Sequence, residues 1–231
     1  ATAAVAVQAQ ADTAITVTLV SDYVYNGVSS TDGKPALQGS ADWWNDAGFY
    51  AGIWGSKIDF KTGTNEQVEL DYYAGYAGSL DEHLDFDLGY AYYTYPGADE
   101  DAADLGEFDY GELYGSLTYR GATKVLLSIA DDYFGEQGNS AVLVLSHQLA
   151  LGNEFNLKFE GSHTQLLDSA GNASFGPSAG DDSYNHWGVS VAKSIAGFDL
   201  NLAYTDTNID GDYWASDVAD ARLALSVGRT F

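Results

Sequence analysis

Apolar and polar residues alternate along most of the chain, and the alternation has a period of two. Residues 84–93 show it most plainly, with Leu84, Phe86, Leu88, Tyr90 and Tyr92 interleaved with Asp85, Asp87, Gly89, Ala91 and Tyr93. A β-strand sends successive side chains to opposite faces, so such a run predicts a strand with one apolar and one polar side. The stretch 218–231 repeats the pattern: Ala221, Leu223, Leu225, Val227, Arg229 and Phe231 alternate with Asp220, Arg222, Ala224, Ser226, Gly228 and Thr230.

Taken in order, the pattern predicts strands over about 13–28, 35–44, 49–60, 66–77, 84–93, 108–120, 124–130, 141–149, 155–162, 184–193, 198–205 and 218–231. In the first, Tyr23 and Tyr25 continue the apolar face of Ile15, Val17 and Leu19. The strands at 49–60 and 141–149 are apolar on both sides, and the pattern does not orient them. The connections alternate in length. Tight turns such as Asn45–Gly48 and Ile195–Gly197 stand at one set of ends, and long acidic or Ser/Gly-rich loops at 96–107, 166–183 and 206–217 stand at the other. An even number of strands with short turns at one end and long loops at the other is the plan of an outer-membrane barrel. The expected fold is therefore all-β: an antiparallel up-and-down transmembrane β-barrel of about twelve strands, with the turns periplasmic and the long loops outside. A secreted sandwich or solenoid, the rival fold, gives no reason for long loops to gather at one end.

Composition narrows this picture. No apolar run approaches the roughly 18 residues of a spanning helix, which leaves a barrel untouched. The formal charge of −25 excludes binding to nucleic-acid phosphates through a basic face. Aromatics at 14% are too many for a disordered acidic chain. The absence of Cys excludes disulfides and thiolate metal sites. Residues 1–11 read as the tail of an export signal, with Ala9-Gln10-Ala11 as its cleavage site, and 12–231 as the barrel. These features together point to the outer membrane of a Gram-negative bacterium.

The N-terminal third carries a resemblance. Ser21-Asp22-Tyr23, Gly27, Ser29, Asp32, Pro35 and Gly39, followed by Gly48-Phe49-Tyr50, Gly52, Trp54 and Ser56, resemble the TorF-type porin family of proteobacteria, also called Gcw_chp and of unknown function. The resemblance implies an outer-membrane barrel with a channel role and brings no substrate with it. Asn26 stands where that family commonly has an arginine, so any pore role of the arginine is missing here.

The candidate chemistry lies on the polar faces. On the expected registers the lumen receives Asp22, Asp42, Glu69, Asp71, Asp85, Asp87, Glu112, Glu160 and Asp199 against Arg120, Lys124, Lys158 and Arg222. An acidic lumen in a low-dielectric wall concentrates cations, so the expected function is a porin-like channel for passive diffusion of small solutes with a preference for cations. The alternative is a closed structural or adhesive surface barrel acting through acidic loops that bind divalent cations. The expected partners are outer-membrane lipid and lipopolysaccharide, the barrel-insertion machinery through the C-terminal Phe231, and small solutes or cations. No cofactor is required. Residues 206–217 fit the calcium-loop pattern D-x-[DN]-x-[DN]-G, with Asp206, Asn208, Asp210, Asp212 and Asp217 as oxygen ligands, although Asp replaces the usual final Glu. His83, His147, His163 and His186 fall on separate elements, and no hydrolase or phosphate-loop motif is present, so no enzyme is expected.

Overall fold

In a computed structural model of the chain, the described residues are 11–60, 66–98, 108–133, 138–169, 182–209 and 217–231. The expected export-signal tail falls almost wholly outside them. The strands are β1 (Ala11–Val20), β2 (Val24–Tyr25), β3 (Val28–Ser29), β4 (Ala36–Asn45), β5 (Phe49–Lys57), β6 (Val68–Ser79), β7 (Leu84–Thr94), β8 (Tyr110–Tyr119), β9 (Thr123–Asp131), β10 (Gly138–Gly152), β11 (Phe155–Ser169), β12 (Ser183–Ile195), β13 (Phe198–Thr207) and β14 (Arg222–Thr230). All but β2 and β3 form one closed antiparallel barrel in which each strand pairs with its neighbours in sequence. Closure comes from β1 meeting β14, in register from Thr16↔Thr230 to Val20↔Ser226. The remaining pair, β2 and β3, is a separate hairpin.

Apolar side chains point outward. Leu113 and Leu223 are each 65% exposed, and Ile15, Leu145 and Leu202 are also exposed. A continuous belt of this kind is stable only against hydrocarbon, which identifies a transmembrane barrel. Aromatics edge the belt. Trp43, Phe49, Tyr76, Phe155 and Phe198 stand toward the short turns, and Tyr72, Tyr92 and Trp187 toward the long connections. Bases stack on rings at the short-turn rim. Lys193 Nζ lies 4.3 Å from the centroid of Phe155, and Arg229 lies over Phe198 and Phe231 at 5.4 and 5.0 Å. Such stacking lets a charged head sit at a polar–apolar boundary.

Three sequence expectations change. The first strand ends at Val20 rather than near residue 28, and the chain turns into the barrel there. Tyr23 and Tyr25 therefore belong to the interior rather than to the outer face. Arg120 was expected in the lumen. It sits instead in the β8–β9 turn with a left-handed φ of 51°, its guanidinium over the outward ring of Tyr119 at 5.3 Å. The two ambiguous strands also acquire orientations. β5 turns Tyr50, Gly52, Trp54 and Ser56 inward, and β10 turns Ser140, Val142, Val144 and Ser146 inward with Leu143 and Leu145 outside.

The β10 assignment is testable. Leu143→Arg puts a charge in the belt and is expected to lower unfolding free energy by roughly 2–4 kcal/mol, whereas the inward Val144→Thr costs less than about 1 kcal/mol. Urea titration of barrels refolded into lipid vesicles measures both.

Candidate functional site: the lumen

The lumen is crossed by the segment between β1 and β4. After Ser21 the chain forms the β2–β3 hairpin around Asn26 and Gly27, whose φ values are 46° and 85°. Two positive φ values in a two-residue loop make the tight turn that Asn-Gly favours. Gly27 is required twice over, because a Cβ there would also press on the His186 ring and the Thr207 methyl of the far wall.

Asp22 anchors the base of the hairpin. Its buried carboxylate accepts hydrogen bonds from Ser29 Oγ at 2.5 Å, Thr31 Oγ1 at 2.8 Å and Arg222 Nη1 at 2.8 Å. A buried carboxylate needs such donors to offset its lost hydration. The backbone is tied on two sides, Ser29 N donating to Val218 O and Asp59 N to Ser30 O, each at 2.8 Å. Tyr23 packs edge-on against Trp54 at 5.3 Å, and its hydroxyl donates to Glu69. Burial, then the Glu69 and Asp71 carboxylates, push the Tyr23 phenol well above its ordinary range, so it remains a donor. Tyr25 donates to Tyr93. The hairpin thus spans from the β5–β7 wall to the β12–β13 wall.

Around and beyond the hairpin, the long-loop half is packed like a protein core. One buried cluster joins Ile58, Phe60, Tyr95, Phe108, Tyr110 and Ala130, with Tyr23 against it. A second joins Leu166, Tyr184, Val218 and Ala219, with Val28 against it. Tyr133 touches both. Between the hairpin tip and the β11–β14 wall a cavity of about 130 Å³ remains, lined by Asn26, Lys158, Glu160, His186 and Ser190 among others.

The short-turn half is wet. Asp12, Asp85, Lys158 and Asp199 face inward yet are exposed. Its walls differ. On β4–β8 acids alternate with tyrosines: Tyr73 donates to Asp42, Tyr50 to Asp87 at 2.6 Å, and the Tyr50 and Tyr114 hydroxyls meet at 2.6 Å. Deeper on the same wall Glu69, Asp71 and Glu112 are buried, and Asp71 Oδ1 has no hydrogen-bond partner. Tyr93 reaches Glu112 and Tyr95 reaches Glu69, both at 3.4 Å. The opposite wall is small and polar, and its Lys158 is neutralised by Glu160 at 2.5 Å. Among the described residues no base stands within ion-pair distance of Asp42, Glu69, Asp71, Asp85, Asp87 or Glu112.

Glu69, Asp71, Asp85, Asp87, Glu112, Lys158, Glu160, Asp199 and Arg222 therefore turn inward, while Arg120 does not. Arg222 serves the hairpin rather than the open lumen. Of the candidate calcium residues, Asp206, Asn208 and Asp217 are described. The Asp206 carboxylate accepts from Thr207 N at 2.9 Å, Asn208 Oδ1 accepts from Asn185 N at 2.5 Å, and the Asp217 carbonyl accepts from Arg222 Nη2 at 2.5 Å. Asp210 and Asp212 lie outside the described residues. Among the described residues no three His, Asp or Glu side chains are placed to hold a metal ion. His163 faces outward toward Asn185 and His186 faces inward toward Ser162, so they share no site. The periodicity does not reveal the hairpin, although Asn26-Gly27 between Val24-Tyr25 and Val28-Ser29 is its turn signal.

Arg222→Gln leaves the buried Asp22 carboxylate without its cation, and the expected loss is about 3 kcal/mol of stability. Hydrogen exchange of the 23–31 amides should accelerate, and Asp22→Asn added to Arg222→Gln should recover much of the loss.

Two solved porins share the fold. A NanC porin structure superposes with a TM-score of 0.59 at 8% identity, covering 94% of this chain and 98% of that one. The KdgM porin in complex with disordered oligogalacturonate gives 0.59 at 7% identity, covering 94% and 99%. No curated protein matches the sequence. The family profile described as "Bacterial protein of unknown function (Gcw_chp)" matches residues 5–231, and the chain belongs to that family.

Proposed function

We propose that this barrel is a porin-like channel of the bacterial outer membrane, passing small solutes passively and favouring cations. The observation that carries this reading is the wet short-turn half, whose β4–β8 wall bears carboxylates without matching bases. Carboxylates inside a low-dielectric wall raise the local cation concentration and exclude anions. Selection then needs only width and charge, with no chemical step. The hairpin narrows the passage, and a cavity of about 130 Å³ lies beside its tip.

The short turns would face the periplasm and the long loops the exterior. The apolar belt would contact lipid, Phe231 would be read by the insertion machinery, and the acidic loops would meet lipopolysaccharide through divalent cations. Calcium in the 206–217 loop belongs to the same proposal. The KdgM structure holds an oligogalacturonate, a polyanion, and the acid wall described here is unsuited to such a solute.

A second reading has an observation of its own. The packed long-loop half favours a closed barrel that acts through its loops. Planar-bilayer recording separates the two. The channel reading expects small currents with a cation-selective reversal potential, and Asp85→Asn with Asp87→Asn should lower the cation-to-anion permeability ratio a few-fold. Anion preference in the wild type rejects the cation-selective reading. Silence, both in the wild type and in Asp22→Asn/Arg222→Gln with its loosened hairpin, favours the closed barrel.

A further inference from the structure

Three inward tyrosines lie flat on the barrel wall because each has a glycine beside it on the next strand. Register pairs Gly52 with Tyr73, Tyr50 with Gly75, and Gly89 with Tyr114. A Cβ at Gly52 would stand 2.5 Å from the Tyr73 ring, and one at Gly75 or Gly89 would collide with the ring of Tyr50 or Tyr114. Each ring is therefore seated against a neighbouring glycine and stays half-buried on the inner side of the wall. The three half-buried rings come from β5, β6 and β8 and cover glycines of β6, β5 and β7.

Two of their hydroxyls are bound to acids, and the third joins one of those two. Tyr73 donates to Asp42, and Tyr50 donates to Asp87 while sharing its hydroxyl with Tyr114. A phenol that donates to a carboxylate becomes more electron-rich, which strengthens the negative potential over its ring. No base among the described residues pairs with Asp42 or Asp87. The tyrosine-over-glycine packing alone is not the signal: outward-facing Tyr90 covers Gly111 in the same way and bonds no carboxylate.

We propose that this tyrosine–aspartate wall is a binding platform for small organic cations, alkylammonium and quaternary ammonium groups. The rings supply cation–π faces and the two carboxylates supply the net charge. Metal ions are poorly served, because the acids do not converge as a ligand set. Neutral sugars would stack without the electrostatic gain. The inference deepens the cation-channel reading and rests on its water-filled lumen, but it does not require that the barrel conduct.

Saturation-transfer NMR on the detergent-solubilised full chain tests it, with choline as the probe and glucose as the neutral control. The expected result is transfer to the choline methyl protons, with little to glucose. Tyr50→Leu should weaken choline about ten-fold, the scale of a cation–π contact in a partly dry site. Asp42→Asn with Asp87→Asn should weaken it comparably while preserving every ring. Tyr90→Leu should change nothing. Circular dichroism verifies the fold of each variant. Equal transfer to choline and glucose, or choline binding untouched by the Asp substitutions, overturns the proposal. No choline signal from a barrel that conducts sodium overturns it and leaves the channel standing. A signal from a barrel that carries no current upholds the platform and removes the channel.

Discussion

A strand bordered by hydrocarbon has no water with which to satisfy its backbone, so each N–H and C=O of the wall must find another strand. Closing β1 onto β14 meets that demand around the whole ring. Once the sheet is closed, period two leaves each residue only two destinations: outward to lipid or inward to the lumen. The acids have only one tolerable side. That is why carboxylates on β4 and β6–β8 meet in a single space although they are far apart in sequence.

The interior then resolves into two regimes. At the long-loop half, apolar connections and the hairpin fill the barrel as a soluble core would be filled, and the acids there are kept by hydroxyl donors from Tyr23, Tyr93 and Tyr95. At the short-turn half the same wall is bathed by water, and carboxylates survive without bases. Among the described residues, Asp22 in the long-loop half is the lumenal acid matched by both a cation and two hydroxyls. Its contacts fasten the base of the hairpin to β14.

Most of the wall was legible in the sequence because β6, β7, β8, β13 and β14 alternate cleanly, and lipid tolerates few exceptions. The turn and loop ends were legible for the same reason. What escaped was whatever the lumen treats unlike plain water. β5 hides its sidedness because Tyr50 and Trp54 face a lumen that accepts aromatics, and β10 because Val142 and Val144 face inward. Tyr23 and Tyr25 prolong the rhythm of β1 past its end, so periodicity ran into a hairpin that Asn26-Gly27 should have announced. Arg120 extended the rhythm of β8 by one residue, where a left-handed turn overrides it. The tyrosine-on-glycine wall depends on cross-strand register, which no single segment encodes.

The Asp22–Arg222 contact links positions 200 residues apart, near opposite ends of the chain. Arg222 opens the final strand, so the ionic fastening of Asp22 is completed only when that strand docks, whereas Tyr23, Tyr25 and Ser30 hold the hairpin to the β5–β7 side. The pairing that seals the seam therefore also delivers the cation that fastens the base of the hairpin.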